Sequence, residues 1–158
     1  MVAFTDERSR PPVLGVHAVV AVADMPAFFQ KAMGAAWEGM ARAGAAPAGP
    51  PAAVYRSTGP EQDRFEVTAG FPVAQAPESV PEGLTLLPLP AGPAAEEVHV
   101  GTYDTLRMTY DEVFAEIARR GLEPADLMWE EYLTDPGAGV PPEQWRTKVV
   151  VPLRGHAR

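Results

Sequence analysis

An internal repeat restricts the fold of this chain more than any other feature of its sequence. Residues 41–57 (ARAGAAPAGPPAAVYRS) align without a gap with residues 118–134 (ARRGLEPADLMWEEYLT). The alignment pairs identical residue types: Arg42 with Arg119, Gly44 with Gly121, Pro47 with Pro124, Ala48 with Ala125 and Tyr55 with Tyr132. Apolar positions upstream keep the same offset: Phe29, Met33, Trp37 and Met40 pair with Leu106, Tyr110, Phe114 and Ile117. A match that covers turn residues and a helical pattern together predicts two copies of one supersecondary unit.

Each copy has the same order of predicted elements, which is strand, helix, strand, strand. The predicted ranges are 13–22, 26–43, 53–57 and 64–73 in the first copy, and 94–101, 106–120, 127–134 and 145–152 in the second. Apolar residues recur at helical spacing in both predicted helices. Gly44 and Gly121 follow these helices, where a glycine commonly ends a helix. Two such βαββ units predict an α+β fold, in which one antiparallel sheet carries both helices on one face.

The repeat also defines the expected domain boundaries. We predict a single domain over residues 13–153, preceded by a flexible N-terminal segment at residues 1–12. Within the domain, repeat 1 covers about residues 13–73, a surface connection covers about 74–83, and repeat 2 covers about 84–153. Repeat 2 opens with the segment LTLLPLPAG, which predicts an edge strand interrupted by prolines.

Length and charge exclude several classes of function. The chain has 158 residues, the length of one domain, and a formal net charge of −8 from 21 acidic and 13 basic residues. A protein that binds phosphate backbones needs the opposite balance, so we expect no direct nucleic-acid partner. No apolar run is long enough to span a membrane, and the N-terminus lacks the apolar core of a signal peptide. We therefore predict a cytoplasmic protein without a membrane partner.

The residue types available for catalysis narrow the chemistry further. The sequence contains no cysteine, which excludes disulfides, thiolate metal sites and thiol nucleophiles. The three histidines (His17, His99 and His156) lack the spacing of metal ligands, so we expect neither a metal nor another cofactor. The sequence also lacks the G-x-S-x-G pattern of serine hydrolases and the G-K-[ST] ending of a phosphate-binding loop.

Two adjacent glutamates lie in the predicted strand that contains the segment MWEEYLTDP. Neighbouring side chains on a strand point to opposite faces, so Glu130 shares a face with Met128 and Tyr132, and Glu131 takes the other. An ionised carboxylate in an apolar interior costs several kcal/mol and tends to raise its own pKa. A cation or a hydrogen-bond donor relieves that cost.

Spacing alone leaves two interpretations of Glu130 open. In the first, Glu130 points into a pocket and meets a ligand there. In the second, it is half exposed and pairs with Arg146 or Lys148 of the following strand. Glu131 is expected to face water in both.

Several segments together resemble a GyrI-like (gyrase-inhibitor-like) effector-binding domain. In chain order they are LPAGPAAEEVHVGTYDTL, YDEVFAEIARRGLEP, MWEEYLTDP and PPEQWRTKVVVPL. The resemblance extends from about Val13 to Leu153, and the ordered set of H-x-G-x-Y, W-E-x-Y and D-P is more specific than any single piece. It implies a central pocket for bulky, flat and often cationic ligands, which aromatic side chains hold around a buried glutamate. The W-E-x-Y motif matches Glu130 as that glutamate.

The resemblance and the aromatic content together define a set of candidate ligand-binding residues. They are Glu130, Tyr55, Tyr132, Trp37, Tyr103, Tyr110, Met33 and Met128. A buried tyrosine needs a partner for its hydroxyl, which suits a pocket with polar edges better than a sealed core. Methionine side chains repack around ligands of different shape. Trp37, Tyr110 and the methionines are also compatible with ordinary core packing.

Three functions stay open at this stage. The first is a stand-alone binder that sequesters or senses bulky hydrophobic or cationic small molecules. The second is a hydrolase that opens strained rings of cyclopropane type in DNA-alkylating natural products, an enzyme class that some stand-alone members of the family resemble. In that case Glu130 is the general base, and Tyr55 or Tyr132 is the acid or the positioning group. The third is a protein-interaction module, such as a modulator of gyrase, with a protein partner.

Overall fold

The computed structural model describes residues 1–57, 63–135 and 138–156. In chain order its elements are β1 (Ala3–Glu7), β2 (Val13–Ala21), α1 (Met25–Arg42), β3 (Ala52–Ser57), β4 (Arg64–Pro72), β5 (Thr85–Leu87), β6 (Gly92–Val100), α2 (Leu106–Arg119), β7 (Leu122–Pro124), β8 (Leu127–Tyr132) and β9 (Arg146–His156). The chain divides into two compact units, which we call the first unit (10–89) and the second unit (1–9 and from Pro90 onward). The strands pair antiparallel and each unit carries one helix, so the predicted α+β class is confirmed.

The first unit is an antiparallel sheet with α1 on one face. Its strand order is β3-β4-β2-β5, and β2 pairs with β4 along its whole length. The two backbones pass so closely at Gly15 and Gly70 that a Cβ atom on either residue would lie within 2.4 Å of a facing carbonyl oxygen. Glycine is therefore required at both positions. On the helix face, Ala32 of α1 packs with Val67 and Ala69 of β4.

The second unit is built in the same way around α2. Its strands follow the order β1-β6-β9-β8, and β7 pairs with the last residues of β9. Four residues of α2 form its buried face: Leu106, Thr109, Val113 and Ile117. The apolar members of this face pack on Ala95 of β6 and on Val149 and Val151 of β9. This packing fixes the height of α2 above β8 and β9, where the candidate site lies.

The two units repeat one another in hydrogen-bonding detail. In the first unit the amide of Ala48 donates to the carbonyl of Pro72 at 2.8 Å, and in the second the amide of Ala125 donates to the carbonyl of Pro152 at 2.7 Å. Each helix is followed by a glycine with a φ of 69°: Gly44 and Gly121. The predicted duplication of a strand–helix–strand–strand unit is therefore confirmed.

Two predicted boundaries need correction. Residues 3–7, expected within a flexible segment at 1–12, form β1 and pair with β6. The reason is that Phe4 packs against the core of the second unit, and the guanidinium carbon of Arg120 lies 4.0 Å from the centre of its ring. The predicted edge strand exists at residues 85–87, but it pairs with β2 and so belongs to the first unit rather than to repeat 2.

Within the described ranges, no helix combines the length and the apolar character that crossing a membrane requires.

Candidate ligand-binding site

Strand β8 places its two adjacent glutamates on opposite faces of the sheet in the second unit. Met128 packs against the core beneath α2, and Tyr110 of α2 donates a hydrogen bond to Glu130, so Glu130 lies on the helix face. Only 6% of Glu130 is exposed. Alternation along the strand then directs Glu131 to the other face, where it lies opposite Lys148 of β9.

The surroundings of Glu131 and Lys148 differ from the prediction. Glu131 was expected to face water, but it is half-buried and accepts a hydrogen bond from the indole nitrogen of Trp129 at 3.1 Å. Lys148, one of the two predicted ion-pair partners of Glu130, instead forms an ion pair with Glu96 at 3.4 Å. The cause is the strand register, because Val149 and not Lys148 lies opposite Glu130.

Two tyrosine hydroxyls hold the Glu130 carboxylate. The hydroxyl of Tyr110 donates to Oε2 at 2.5 Å, and the hydroxyl of Tyr132 donates to Oε1 at 2.8 Å. Tyr110 comes from α2, whereas Tyr132 follows Glu130 by two residues and so shares its face of β8. Each carboxylate oxygen thus accepts a donor from a different element. A phenol hydroxyl orients the carboxylate but carries no positive charge that would neutralise it.

Two further aromatic rings extend from this carboxylate. Tyr103, in the 3-10 turn before α2, has its ring centre 6.0 Å from that of Tyr132 and 5.4 Å from that of Trp145. The indole nitrogen of Trp145 donates to the carbonyl of Val140 at 2.9 Å, which fixes the orientation of the ring. We call the set of Glu130, Tyr103, Tyr110, Tyr132 and Trp145 the Glu130 cluster.

The electrostatic environment of Tyr103 reflects the acids around it. Burial raises the pKa of its phenol, and the negative charges of Glu130 and Asp135 raise the pKa further. All three effects disfavour a phenolate. Tyr103 is nevertheless 41% exposed, so the cluster runs from a buried carboxylate to an aromatic ring that solvent reaches.

The other three candidate residues belong to the first unit. Tyr55 has its ring centre 6.3 Å from that of Phe29 and 6.1 Å from that of Phe65, and Met33 packs in the same apolar cluster. Trp37 is 54% exposed on α1. The second unit therefore brings together Glu130, Tyr103, Tyr110 and Tyr132, with Met128 on the same face. The roles of Tyr55, Met33 and Trp37 stay predictions.

The repeat shows that the acid is particular to one unit. Ala53 of β3 occupies the position that corresponds to Glu130, lies opposite Ala69 and is fully buried. The first unit thus has a small apolar side chain where the second has a carboxylate. In the part of the chain that the structure describes, no group of three or more histidine, aspartate or glutamate side chains could hold a metal ion.

Sequence reasoning did not select Trp145, a member of the cluster, or His99, which adjoins the cluster. Trp145 precedes β9 and contacts Tyr103 because its carbonyl accepts a hydrogen bond from the amide of Gly101 at 2.8 Å, which continues the pairing of β6 with β9 to the turn before α2. His99 contacts that same turn from β6. Trp145 lies in a segment with the family resemblance, and that signal could have identified it. His99 stands in the H-x-G-x-Y motif, where its role was not evident from spacing.

The sequence matches one family model along almost its whole length. Residues 10–154 match the model described as the GyrI-like small molecule binding domain. The chain belongs to the GyrI-like family. Comparison with curated protein sequences gave no match.

Solved structures share the fold of this GyrI-like domain. The C-terminal domain of EcmrR has a TM-score of 0.82 at 16% identity, with 98% of both chains covered. In the complex of EcmrR with DNA, the present chain spans 58% of the EcmrR chain, with a TM-score of 0.83 at 17% identity. SAV2435 bound to tetraphenylphosphonium has a TM-score of 0.69 at 10% identity, with 98% of the present chain and 94% of the SAV2435 chain covered. A hydrolase from Listeria innocua has a TM-score of 0.56 at 14% identity, with 96% of the present chain and 91% of the hydrolase chain covered. At these identities the likeness shows the fold alone.

Proposed function

We propose that this GyrI-like domain binds bulky aromatic cations, and that the Glu130 cluster is the centre of the binding site. The observation that carries the proposal is the Glu130 carboxylate, which is 6% exposed and held by two tyrosine hydroxyls beside further aromatic rings. A protein that only needed a stable core would gain more from an apolar residue here, as Ala53 illustrates at the corresponding position. A carboxylate kept in such surroundings favours a positively charged guest.

The cluster offers two kinds of attraction to such a ligand. A cation about 6 Å from the carboxylate gains roughly 2–3 kcal/mol at an effective dielectric constant of about 20. Each favourable contact of the cation with an aromatic face adds about 0.5–2 kcal/mol. Burial of apolar ligand surface contributes about 25 cal/mol per Å², and for a bulky compound this contribution exceeds the other two. The acid therefore selects for charge, while the rings and the apolar surface supply most of the affinity.

Met128 lies on the same face of β8 as Glu130 and packs against the core beneath α2. We assign it to contacts with the apolar body of the ligand. Methionine tolerates ligands of different shape because its side chain is flexible and polarisable. The biological role would be sequestration or sensing of such compounds. The complex of SAV2435 with tetraphenylphosphonium, a protein of the same fold with a ligand of this class, supports the proposal.

Two ions of nearly equal shape and opposite charge test the proposal. Tetraphenylphosphonium and tetraphenylborate would be titrated into the protein by isothermal calorimetry at the same ionic strength. We expect the phosphonium to bind with a stoichiometry of one and at least tenfold more tightly than the borate. Equal affinity for both ions would mean that only apolar surface is recognised. Tighter binding of the borate would refute the role of the carboxylate.

A second candidate function is hydrolysis of a strained, electrophilic ring. The observation that favours it is the 2.5 Å hydrogen bond between Tyr110 and Glu130, which places a general base beside a phenol. In this reaction the oxygen of a water molecule bonds to a ring carbon while the strained ring bond of that carbon breaks. Glu130 accepts the proton from the water, and Tyr132 donates a proton to the ring atom that is released. Product in excess of one equivalent per protein would establish turnover, whereas accumulation that stops at one equivalent would exclude it.

A further inference from the structure

A buried histidine ties together the elements that carry two tyrosines of the Glu130 cluster. His99 of β6 is 6% exposed, and both of its ring nitrogens have partners. Nδ1 lies 2.7 Å from the hydroxyl oxygen of Thr109, in the first turns of α2. Nε2 lies 2.9 Å from the carbonyl oxygen of Thr102 and 3.1 Å from the hydroxyl oxygen of Thr105. One imidazole ring thus connects the end of β6, the turn before α2 and α2 itself.

The chemistry of these partners fixes the tautomer. A backbone carbonyl can only accept a hydrogen bond, so Nε2 carries the hydrogen and donates it to Thr102. In the neutral ring Nδ1 is then the acceptor, and the hydroxyl of Thr109 donates to it. The Thr105 hydroxyl donates to the same Thr102 carbonyl at 3.1 Å, which closes the turn.

Two of the three residues bonded to His99 are chain neighbours of a cluster tyrosine. Thr102 precedes Tyr103, whose ring contacts Tyr132 and Trp145. Thr109 precedes Tyr110, whose hydroxyl donates to Glu130. The turn also needs Gly101, which has a φ of 128°, a conformation that other residues rarely adopt. The three residues of the H-x-G-x-Y motif thus act on the same turn. His99 holds the turn by a hydrogen bond, Gly101 adopts the backbone conformation that it needs, and Tyr103 lies in it.

We infer that His99 is a positioning residue for the ligand site, an inference that rests on the proposed function. The hydrogen bond of Nε2 to Thr102 holds the turn that carries Tyr103. The hydrogen bond of Nδ1 to Thr109 holds the start of α2, which carries Tyr110. The elements that carry these two rings of the Glu130 cluster are thereby held together by one imidazole. Release of the Nε2 connection should cost a ligand more affinity than release of the Nδ1 connection, because α2 with Tyr110 is also held by the packing of its apolar face. His99 itself touches no ligand.

The two connections can be released separately. In His99→Gln the side-chain amide reaches the position of Nε2 and can still donate to the Thr102 carbonyl. In His99→Asn the shorter amide reaches only the position of Nδ1, so the bond to Thr109 is retained and the bond to Thr102 is lost. A residue that merely filled the core would respond to side-chain volume and would not distinguish these bonds.

A matched control exists in the first unit. His17 of β2 also pairs its Nδ1 with a threonine hydroxyl, that of Thr68, at 2.9 Å. The Nε2 atom of His17, an exposed residue, lies 3.2 Å from Oε1 of Glu66. His17→Asn therefore keeps the threonine bond and removes the Nε2 contact, as His99→Asn does, in a histidine that holds no residue of the Glu130 cluster.

The experiment measures the affinity for rhodamine 6G, a bulky aromatic cation, by fluorescence anisotropy, alongside thermal melting. We expect His99→Asn to bind about tenfold more weakly, the effect of one lost hydrogen bond, and His99→Gln to stay within about threefold of the unaltered protein. His17→Asn should bind normally. In a Tyr103→Ala background, His99→Asn should cause no further loss, because the ring that it positions is absent.

Several outcomes would overturn the inference. Unchanged affinity in His99→Asn would show that the turn needs no anchor. An equal loss in His99→Asn and His99→Gln, or a loss that persists in the Tyr103→Ala background, would show that His99 does not act through Tyr103. If His99→Asn does not fold, Thr105→Val releases the same turn and should weaken binding severalfold, and normal binding by that variant would contradict the inference. Failure of the unaltered protein to bind the dye would instead refute the proposed function, and this inference with it.

Discussion

Replacement of Tyr110 by phenylalanine separates what the Glu130 cluster does for the fold from what it does for a ligand. The change removes one hydroxyl, which donates to Oε2 of Glu130 at 2.5 Å, and keeps the aromatic ring. The ring remains stacked on Phe114, at 6.3 Å between ring centres and 20° between planes. Among the described contacts, the change removes the hydrogen bond to the carboxylate and keeps the ring contact.

The loss should destabilise the ligand-free protein. A hydrogen bond to a charged group contributes about 1.5–3 kcal/mol, and Glu130 is 6% exposed, so water has little access to replace the missing donor. For a chain of this length, 1 kcal/mol corresponds to roughly 2–4 °C in melting temperature. We expect Tyr110→Phe to lower the melting temperature by roughly 3–12 °C. Tyr103→Phe is the control at neutral pH, because among the described contacts its hydroxyl makes no hydrogen bond.

Binding of a cation should respond in the opposite direction. In the free protein the carboxylate depends on its hydroxyl donors, whereas in the complex the cation stabilises the same negative charge. Removal of a donor therefore raises the free energy of the free state more than that of the complex. We expect the affinity of Tyr110→Phe for tetraphenylphosphonium to be unchanged or up to about tenfold higher. Tyr110→Leu, which also removes the ring, should bind more weakly.

Thermal melts and calorimetric titrations of the same protein preparations test these expectations. Lower stability with retained affinity is the predicted combination. An affinity that falls more than tenfold in Tyr110→Phe would show that the hydroxyl contacts the ligand itself, and the reasoning about competition for the carboxylate would be wrong. An unchanged melting temperature would show that the hydrogen bond contributes nothing to the fold.

Three further predictions concern single residues. Burial raises the pKa of Tyr103 above its ordinary value of 10.0, so the unfolded chain loses the phenol proton at a lower pH than the folded protein does. The free energy of unfolding should therefore fall as the pH rises past 10, and it should fall less in Tyr103→Phe. Equal pH profiles of the two proteins in urea unfolding would contradict this prediction. Gly15→Ala should abolish stable folding or cost several kcal/mol, because its Cβ atom would lie 2.4 Å from the carbonyl oxygen of Ala69. Gly34→Ala, in an exposed part of α1 with nothing within 4 Å of the added atom, should instead stabilise the protein by about 1 kcal/mol, and calorimetric melts of both variants decide. Trp145→Leu removes the hydrogen bond to Val140 and should lower the melting temperature by only a few degrees. It should weaken binding of tetraphenylphosphonium severalfold, and normal affinity would remove Trp145 from the site.

Much of the fold could be predicted because the sequence contains two copies of the same supersecondary unit. A helix pattern such as that of Phe29, Met33 and Trp37 is ambiguous alone, but the same pattern at a constant offset in the second half is not. Alternation on β8 predicted that Glu130 and Tyr132 share one face, and the hydrogen bond between them agrees. These are local properties of helices and strands, so sequence spacing is sufficient to derive them.

The features that the sequence did not reveal depend on distant partners. β1 has a short and polar sequence, and it becomes a strand because β6 offers an edge for pairing and the core accommodates Phe4. The partner of Lys148 depends on the register of β8 against β9, which shifts every cross-strand neighbour when it moves by one residue. Trp145 reaches Tyr103 because the pairing of β6 with β9 continues to Gly101 and Trp145. Spacing along the chain does not encode any of these contacts.

The choice between the two adjacent glutamates is the most direct test of the account. The affinity for tetraphenylphosphonium would be measured in Glu130→Gln and Glu131→Gln, two variants that differ by one position and keep the side-chain shape. Loss of a charge interaction of roughly 2–3 kcal/mol predicts at least tenfold weaker binding for Glu130→Gln. Glu131→Gln, altered on the opposite face of β8, should bind within about twofold of the unaltered protein. Equal affinities in the two variants, or a loss confined to Glu131→Gln, would contradict the assignment of Glu130 as the acid that recognises the cation.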